Sequence, residues 1–147
     1  MKISTKGRYG LRVMVDLAIY GKDQYVSLNE ISLRQEISVK YLEQIMRLLT
    51  GHKLVKSTRG INGGYKLRED PSLITTLMVL EALEGDLTPL ECINDKEFCS
   101  RCSICYTHSF WKDLDNHMRS YLNSITIADI AMRTVNYNPS RRENPLL

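Results

Sequence analysis

The 147-residue sequence predicts a mainly α-helical fold: a winged helix-turn-helix with a small β-hairpin wing, then a long C-terminal helix. Three observations carry that prediction. Two short amphipathic helices lie about three residues apart between positions 27 and 51. A glycine-rich basic segment, "LVKSTRGINGGYKLRE", follows them directly. Beyond residue 107 apolar residues recur at alternating steps of three and four.

Each element has its own signal. The first helix is expected over residues 4–20, where Leu11, Met14, Val15 and Ala18 make one apolar stripe and Gly21 is the stop. Arg8, Arg12 and Asp16 lie off that stripe. The second opens at Ser27 in "SLNE", a capping box with Glu30, and ends near Gln35. The third opens at Ser38 and closes at Gly51, with Val39, Leu42, Ile45, Met46 and Leu49 on one face. Residues 54–57 and 65–68 read as the wing's strands, and Gly60, Gly63 and Gly64 supply positive-φ positions for the hairpin. A fourth helix over 76–84 stops at Gly85, and the cysteine segment follows as a loop.

The long helix is expected over 107–123. Trp111, Leu114, Met118, Tyr121 and Ile125 form an a/d seam, flanked by Phe110 and Leu122. So short a seam serves either the chain's own core or a helix–helix interface. A last helix starts at Thr126 in "TIAD", and the tail from Tyr137, "YNPSRRENPLL", is expected to be disordered. The chain thus divides into a winged helix-turn-helix (1–85), a cysteine-rich loop (86–108), a long helix with a short final one (109–136) and a tail (137–147).

Charge separates the halves. Residues 1–70 carry 13 Lys/Arg against 7 Asp/Glu, and residues 71–147 carry 7 against 10. A basic N-terminal unit points to a polyanionic partner. Apolar runs are too short to span a bilayer, and the N-terminus has no secretory core, so the cytoplasm is expected and no membrane partner. Thiols stay reduced in that compartment.

On the third helix the apolar stripe leaves Lys40, Tyr41, Glu43, Gln44 and Arg47 outward, so this helix is expected to enter the major groove of double-stranded DNA. Gln44 suits an adenine edge, Tyr41 and Lys40 suit the backbone, and the helix-opening Ser38 is a further candidate DNA contact. Glu43 is repelled by phosphates unless it accepts from a cytosine amino group, which makes it a discriminator. In the wing, Arg59 beside Gly60 suits a minor groove, and Lys6, Arg8, Lys56 and Lys66 complete a phosphate rim. A solvated helix face accounts for any one of these charges; their concentration in one architecture favours DNA.

All four cysteines lie in one run, Cys92-x6-Cys99-x2-Cys102-x2-Cys105-x2-His108. Clustered thiolates suit zinc or an iron–sulfur cluster, and the crowding favours the latter over two separated zinc knuckles. Cys105 and His108 share a face if the long helix begins there. A thiol switch or a purely structural role are the other readings. No Ser/His/Asp arrangement, P-loop or paired carboxylates indicate an enzyme. An electron-transfer or cluster-carrier protein with an incidental basic face is the alternative from another class.

The stretches "MKISTKGRYGLRVMVDLA", "ISVKYLEQIMRLL" and "LVKSTRGINGGYKL", with Cys92, Cys99, Cys105 and His108 leading into "FWKDL", resemble the iron–sulfur cluster regulators of the Rrf-two family of bacterial winged-helix transcription factors. The resemblance covers nearly the whole chain, thinning after about residue 135. It implies a homodimer joined through the long helix, a palindromic promoter site and control of cluster-assembly genes. It also implies a 2Fe–2S cluster on Cys92, Cys99, Cys105 and His108, with Tyr41, Glu43 and Gln44 in the major groove and Arg59-Gly60 in the minor. Cys102 departs from that pattern, which leaves a 4Fe–4S cluster on four cysteines as the alternative. A clusterless, NO-sensing or thiol-sensing member of the same family is the other variant.

Overall fold

The computed structural model describes residues 3–95 and 97–137; the tail expected to be disordered lies outside them but for Tyr137. In chain order the elements are α1 (Thr5–Tyr20), α2 (Leu28–Gln35), α3 (Val39–Gly51), β1 (Val55–Thr58), β2 (Gly64–Leu67), α4 (Thr76–Glu84), α5 (His108–Ser124) and α6 (Ile127–Tyr137). The cysteine segment, expected as plain loop, contains two single 3-10 turns, Glu91–Ile93 and Cys102–Ile104.

Local chemistry sets most boundaries. The Ser27–Glu30 capping box forms, Ser27 Oγ accepting from Glu30 N at 3.3 Å and Ser27 N donating to Glu30 Oε2 at 2.7 Å. Thr126 and Asp129 open α6 in the same way, at 2.9 and 3.1 Å. The strand bounds differ from expectation by one residue, while the hairpin pairs residues 55–58 with 64–67, because the Leu54 N–H bonds Leu49 O at the exit of α3 and the ladder starts at Val55 opposite Leu67. Gly60 and Gly64 have positive φ (111° and 154°), as expected, but Gly63 does not. What restricts Gly63 is crowding: a Cβ there would lie 2.6 Å from Thr58 O.

The core gathers Val13, Met14 and Leu17 of α1, Ile31 of α2, Leu42, Ile45, Met46 and Leu49 of α3, Val79 and Leu83 of α4, and Ile127 of α6. Each such side chain contributes about 1.5–3 kcal/mol by burial. The buried face of α1 is wider than one stripe, because α2, α4, α6 and β2 all pack on it. Leu11 and Ala18 are therefore only partly buried, whereas Val13 and Leu17 are enclosed. Asp16, expected to lie off the buried stripe, is 1% exposed. It stays there because Arg34 and Gln35 of α2 bring three donors to its carboxylate.

The last helix belongs to the same packed body as the winged helix. Ile127 N donates to Ile74 O at 2.9 Å, Thr76 N donates to Ile125 O at 2.8 Å, and α6 lies along α1.

Candidate functional site

The surface of α3 is fixed by its N-terminal turn and its buried face. Its start is a short turn: Glu36 takes a left-handed conformation (φ 54°), Ile37 is buried, and Ser38 accepts from Tyr41 N at 3.3 Å as the N-cap. Ser32 Oγ pins that turn by donating to Ile37 O at 2.6 Å. With Leu42, Ile45, Met46 and Leu49 turned inward, Lys40, Glu43, Gln44 and Arg47 are exposed. Tyr41, expected to point outward, is half-buried; its ring meets that of Tyr9 edge-on at 5.8 Å.

The basic flanks are held as well. Glu84 at the end of α4 accepts from Ser4 N, Ser4 Oγ and Gly7 N at 3.1, 2.6 and 2.9 Å, so the start of α1 is clamped to α4. Lys6 there is half-buried, and Arg8 is exposed, donating to Thr5 Oγ1 at 3.1 Å. In the hairpin Lys56 stands directly opposite Lys66, a like-charge pair that costs stability and favours a nearby anion. Arg59 and Gly60 are exposed between the strands.

The cysteine segment folds back on itself. Cys102 Sγ donates to Cys92 O at 3.5 Å, and His108 Nε2 lies 3.4 Å from the same carbonyl. A cavity of about 390 Å³ is lined by Glu97, Cys99, Ser100, Cys102, Ser103 and His108. Cys105 does not line it; the thiol is exposed and lies 3.5 Å from Thr107 Oγ1. The Thr107 hydroxyl and N–H, then the His108 N–H and the Arg101 charge, hold that thiol below its ordinary range. Because α5 begins at His108, Cys105 lies before the helix, so the expected shared helical face does not form. The donor types fit an iron–sulfur cluster or zinc, but no three of them converge as a ready cage among the described residues.

Along α5 the one buried side chain is Asp115, not a seam residue. Trp111 and Met118 are half-buried, while Phe110, Leu114 and Tyr121 are 59%, 41% and 63% exposed. Ile125 follows the helix with extended backbone and so does not continue its seam. What seats α5 is polar: Arg119 donates to Glu81 of α4 at 2.6 Å, to Asp86 at 2.8 Å, to Thr88 at 3.0 Å and to Asp115 at 3.0 Å. Asn94, two residues past Cys92, donates to both Asp86 and Thr88 at 2.8 Å. The Thr88 hydroxyl and N–H, with Asn94 and Arg119, keep the Asp86 carboxyl below its usual range. The cysteine segment, α4 and α5 thus share one hydrogen-bonded bracket.

Sequence reasoning named the outward groups of α3, the wing arginine and the cysteines, and missed Asp16, Glu84, Asn94 and Arg119. Tyr9, Arg12, Asp16 and Tyr20, spaced by three, four and four, were a signal for a second, polar ridge on α1. Arg119 has one local signal, the i,i+4 spacing from Asp115, while its other partners come from α4 and the loop after it.

A family model described as an iron-dependent transcriptional regulator, Rrf2, matches residues 3–133. This chain belongs to the Rrf2 family. It is 38% identical over 144 residues to the protein rrf2 of Nitratidesulfovibrio vulgaris, covering 98% of this chain and 95% of that one. It is 40% identical over 130 residues to the HTH-type transcriptional regulator IscR of Yersinia pseudotuberculosis, covering 88% and 79%. Among solved structures it is similar to IscR of T. potens, with TM-score 0.76 and 35% identity over 94% of this chain and 91% of that one. It is equally similar to CymR, the global cysteine regulator of B. subtilis, with TM-score 0.75 and 37% identity over 90% and 98%. The protein is therefore a DNA-binding transcriptional regulator of the winged-helix type, and not an enzyme. No helix among the described residues is long and apolar enough to cross a membrane.

Proposed function

We propose that this Rrf2 regulator works in the cytoplasm as a homodimer that binds a palindromic promoter site and reports iron–sulfur cluster status. The observation that carries this reading is the bracket at Arg119. Through Asn94 it ties the cysteine segment to the same side chains that seat α5 on α4. A bound cluster, 2Fe–2S in this reading, supplies an iron centre whose presence or loss is the signal. Cys92, Cys99, Cys105 and His108 are the ligands that the family resemblance assigns, and cluster-assembly genes are the targets. The donors must move together to hold iron, so occupancy changes the segment that Asn94 anchors. On DNA, Gln44, Tyr41 and Glu43 face the major groove with Ser38 and Lys40 at its edge. Arg59 and Gly60 enter the minor groove, and Lys6, Arg8 and Lys56 meet phosphates.

A second reading has its own support. The exposed Cys105 thiol, held toward thiolate, suits a clusterless regulator that senses through thiols, and the similarity to the global cysteine regulator CymR is in keeping with that. Anaerobic purification with optical and resonance spectra plus iron, sulfide and zinc analysis separates the two. Stoichiometric iron and sulfide are expected; a colourless, metal-free protein that still binds its site selectively decides for the thiol reading.

Ligand substitutions refine the site. Cys92→Ala, Cys99→Ala and Cys105→Ala are each expected to lose cluster absorbance, while Cys102→Ala keeps it. His108→Cys keeps it at a lower reduction potential, since a thiolate adds negative charge at iron. Cys102 lines the cavity, which supports the all-cysteine alternative, a 4Fe–4S cluster, although His108 lines it too and Cys105 does not. Iron lost in Cys102→Ala but retained in His108→Ala assigns that alternative.

The exposed apolar residues of α5 are the proposed dimer surface. Leu114→Glu with Tyr121→Glu is expected to yield monomers by sedimentation, with the melting temperature little changed because neither residue is in the core. A double variant that still sediments as a dimer places the interface elsewhere.

Arg59→Ala is expected to cost about 1–3 kcal/mol on sites flanked by narrow A·T-rich minor grooves and less on G·C-rich flanks. Titrations on duplexes differing only in the flanks measure this, and a uniform loss removes the shape-reading role.

Glu43→Ala is expected to relax specificity while keeping affinity, because a lone carboxylate among phosphates acts by penalising wrong bases. Selection from a randomised duplex pool reads the change as a broadened consensus; an unchanged consensus rules the discriminator role out.

A further inference from the structure

We propose that Asp16 and Arg34, acting with Gln35 and Arg12, are positioning residues that set the angle at which α3 meets DNA, a role that rests on α3 being the reading helix. Asp16 is among the few buried charged residues of the core, with its carboxylate taking Arg34 Nε at 2.9 Å, Arg34 Nη2 at 2.6 Å and Gln35 Nε2 at 2.8 Å. The Arg34 guanidinium also lies 4.2 Å from the Tyr20 ring centre. Arg12, one turn before Asp16, donates from Nε to Gln35 Oε1 at 3.2 Å and from Nη2 to the Gln35 carbonyl, and sits 5.1 Å from the Tyr9 ring centre. Tyr9 in turn meets Tyr41 of α3.

One ridge of α1 thus grips the last turn of α2 at Asp16 and Arg12, and the first turn of α3 at Tyr9. Between those grips lies only the turn 36–38, itself pinned by Ser32. Hydrogen bonds to the end of α2 and the edge-on ring contact to α3 leave α3 little freedom to tilt. An apolar contact at the same place, being non-directional, holds the helices together without fixing that angle. Stability alone does not account for the pair: burying two charges costs as much as their attraction returns, and apolar replacements of similar size are often neutral or better.

The test uses the full-length chain in one metal state throughout. Its probes are a duplex recovered from a randomised pool by the unmodified protein and a scrambled duplex of the same composition. The double variant Asp16→Leu with Arg34→Met is expected to melt at or above the unmodified temperature. It should bind the selected duplex about tenfold more weakly, the loss expected when one good base contact is misplaced, with binding to the scrambled duplex unchanged. A folded double variant with unaltered affinity for the selected duplex overturns the proposal, provided that Gln44→Ala does weaken binding. If Gln44→Ala also binds like the unmodified chain, α3 is not the reading helix and the positioning role falls with that reading. Should the double variant not fold, Gln35→Ala decides instead. That substitution removes the Asp16 and Arg12 side-chain links but keeps the Asp16–Arg34 pair, and the same tenfold selective loss is expected, its absence overturning the proposal.

Discussion

The close approach of α1 to α4 is the contact on which the rest of the structure depends. At Gly10 a Cβ would stand 2.0 Å from Leu83 Cδ1, so α4 is seated where no larger residue of α1 leaves room. Glu84, one residue on, is then carried to the N-terminus of α1, where its carboxylate meets two orphan N–H groups and the positive end of the helix. With α1 thus fixed, α2, α6 and β2 pack around it, and α3 is referred to the same element directly through Tyr9 and, by way of Gln35 of α2, through Arg12. Both the basic start of the chain and the surface of α3 are located by this one helix.

The other half is organised by polar contacts. Arg119 gathers three carboxylates and a hydroxyl from α4, the following loop and α5 itself. Half-exposed ion pairs of this kind add little stability singly, and a network with one shared cation adds direction more than strength. Its consequence is geometric: α5 is oriented on the body while its apolar residues stay outward. Asn94 brings the cysteine segment into the same bracket, so a change in that segment has a direct hydrogen-bonded route to the seat of α5.

The helices, their caps and the wing were legible in the sequence because local chemistry fixes them. Ser27, Ser38, Gly21 and Gly85 mark boundaries that their own side chains or backbone freedom create. The exposed groups of α3 were legible for the same reason, as the complement of an apolar stripe. What sequence reading missed depends on tertiary partners. Asp16 looked like a solvated charge because the residues that neutralise it, Arg34 and Gln35, lie 18 and 19 positions away. Tyr41 looked exposed because Tyr9 covers it only once α1 and α3 are packed. The cysteine run announced its chemistry through composition, yet spacing did not disclose that Cys102 faces the cavity and Cys105 faces solvent.

The two candidate regions therefore differ in how finished they are. If α3 reads DNA as proposed, its N-cap, its buried face and the Tyr9 contact leave little ordering to be done on binding. The cysteine segment has the ligands without the cage. Were a metal bound there as proposed, part of its binding free energy would go into drawing the donors together, lowering affinity but making occupancy mechanically consequential. A cage equally formed in both conformations would bind a metal without shifting their equilibrium. In the proposed reading, an open cysteine segment tied to α5, beside a braced α3, is the arrangement through which metal occupancy would reach DNA.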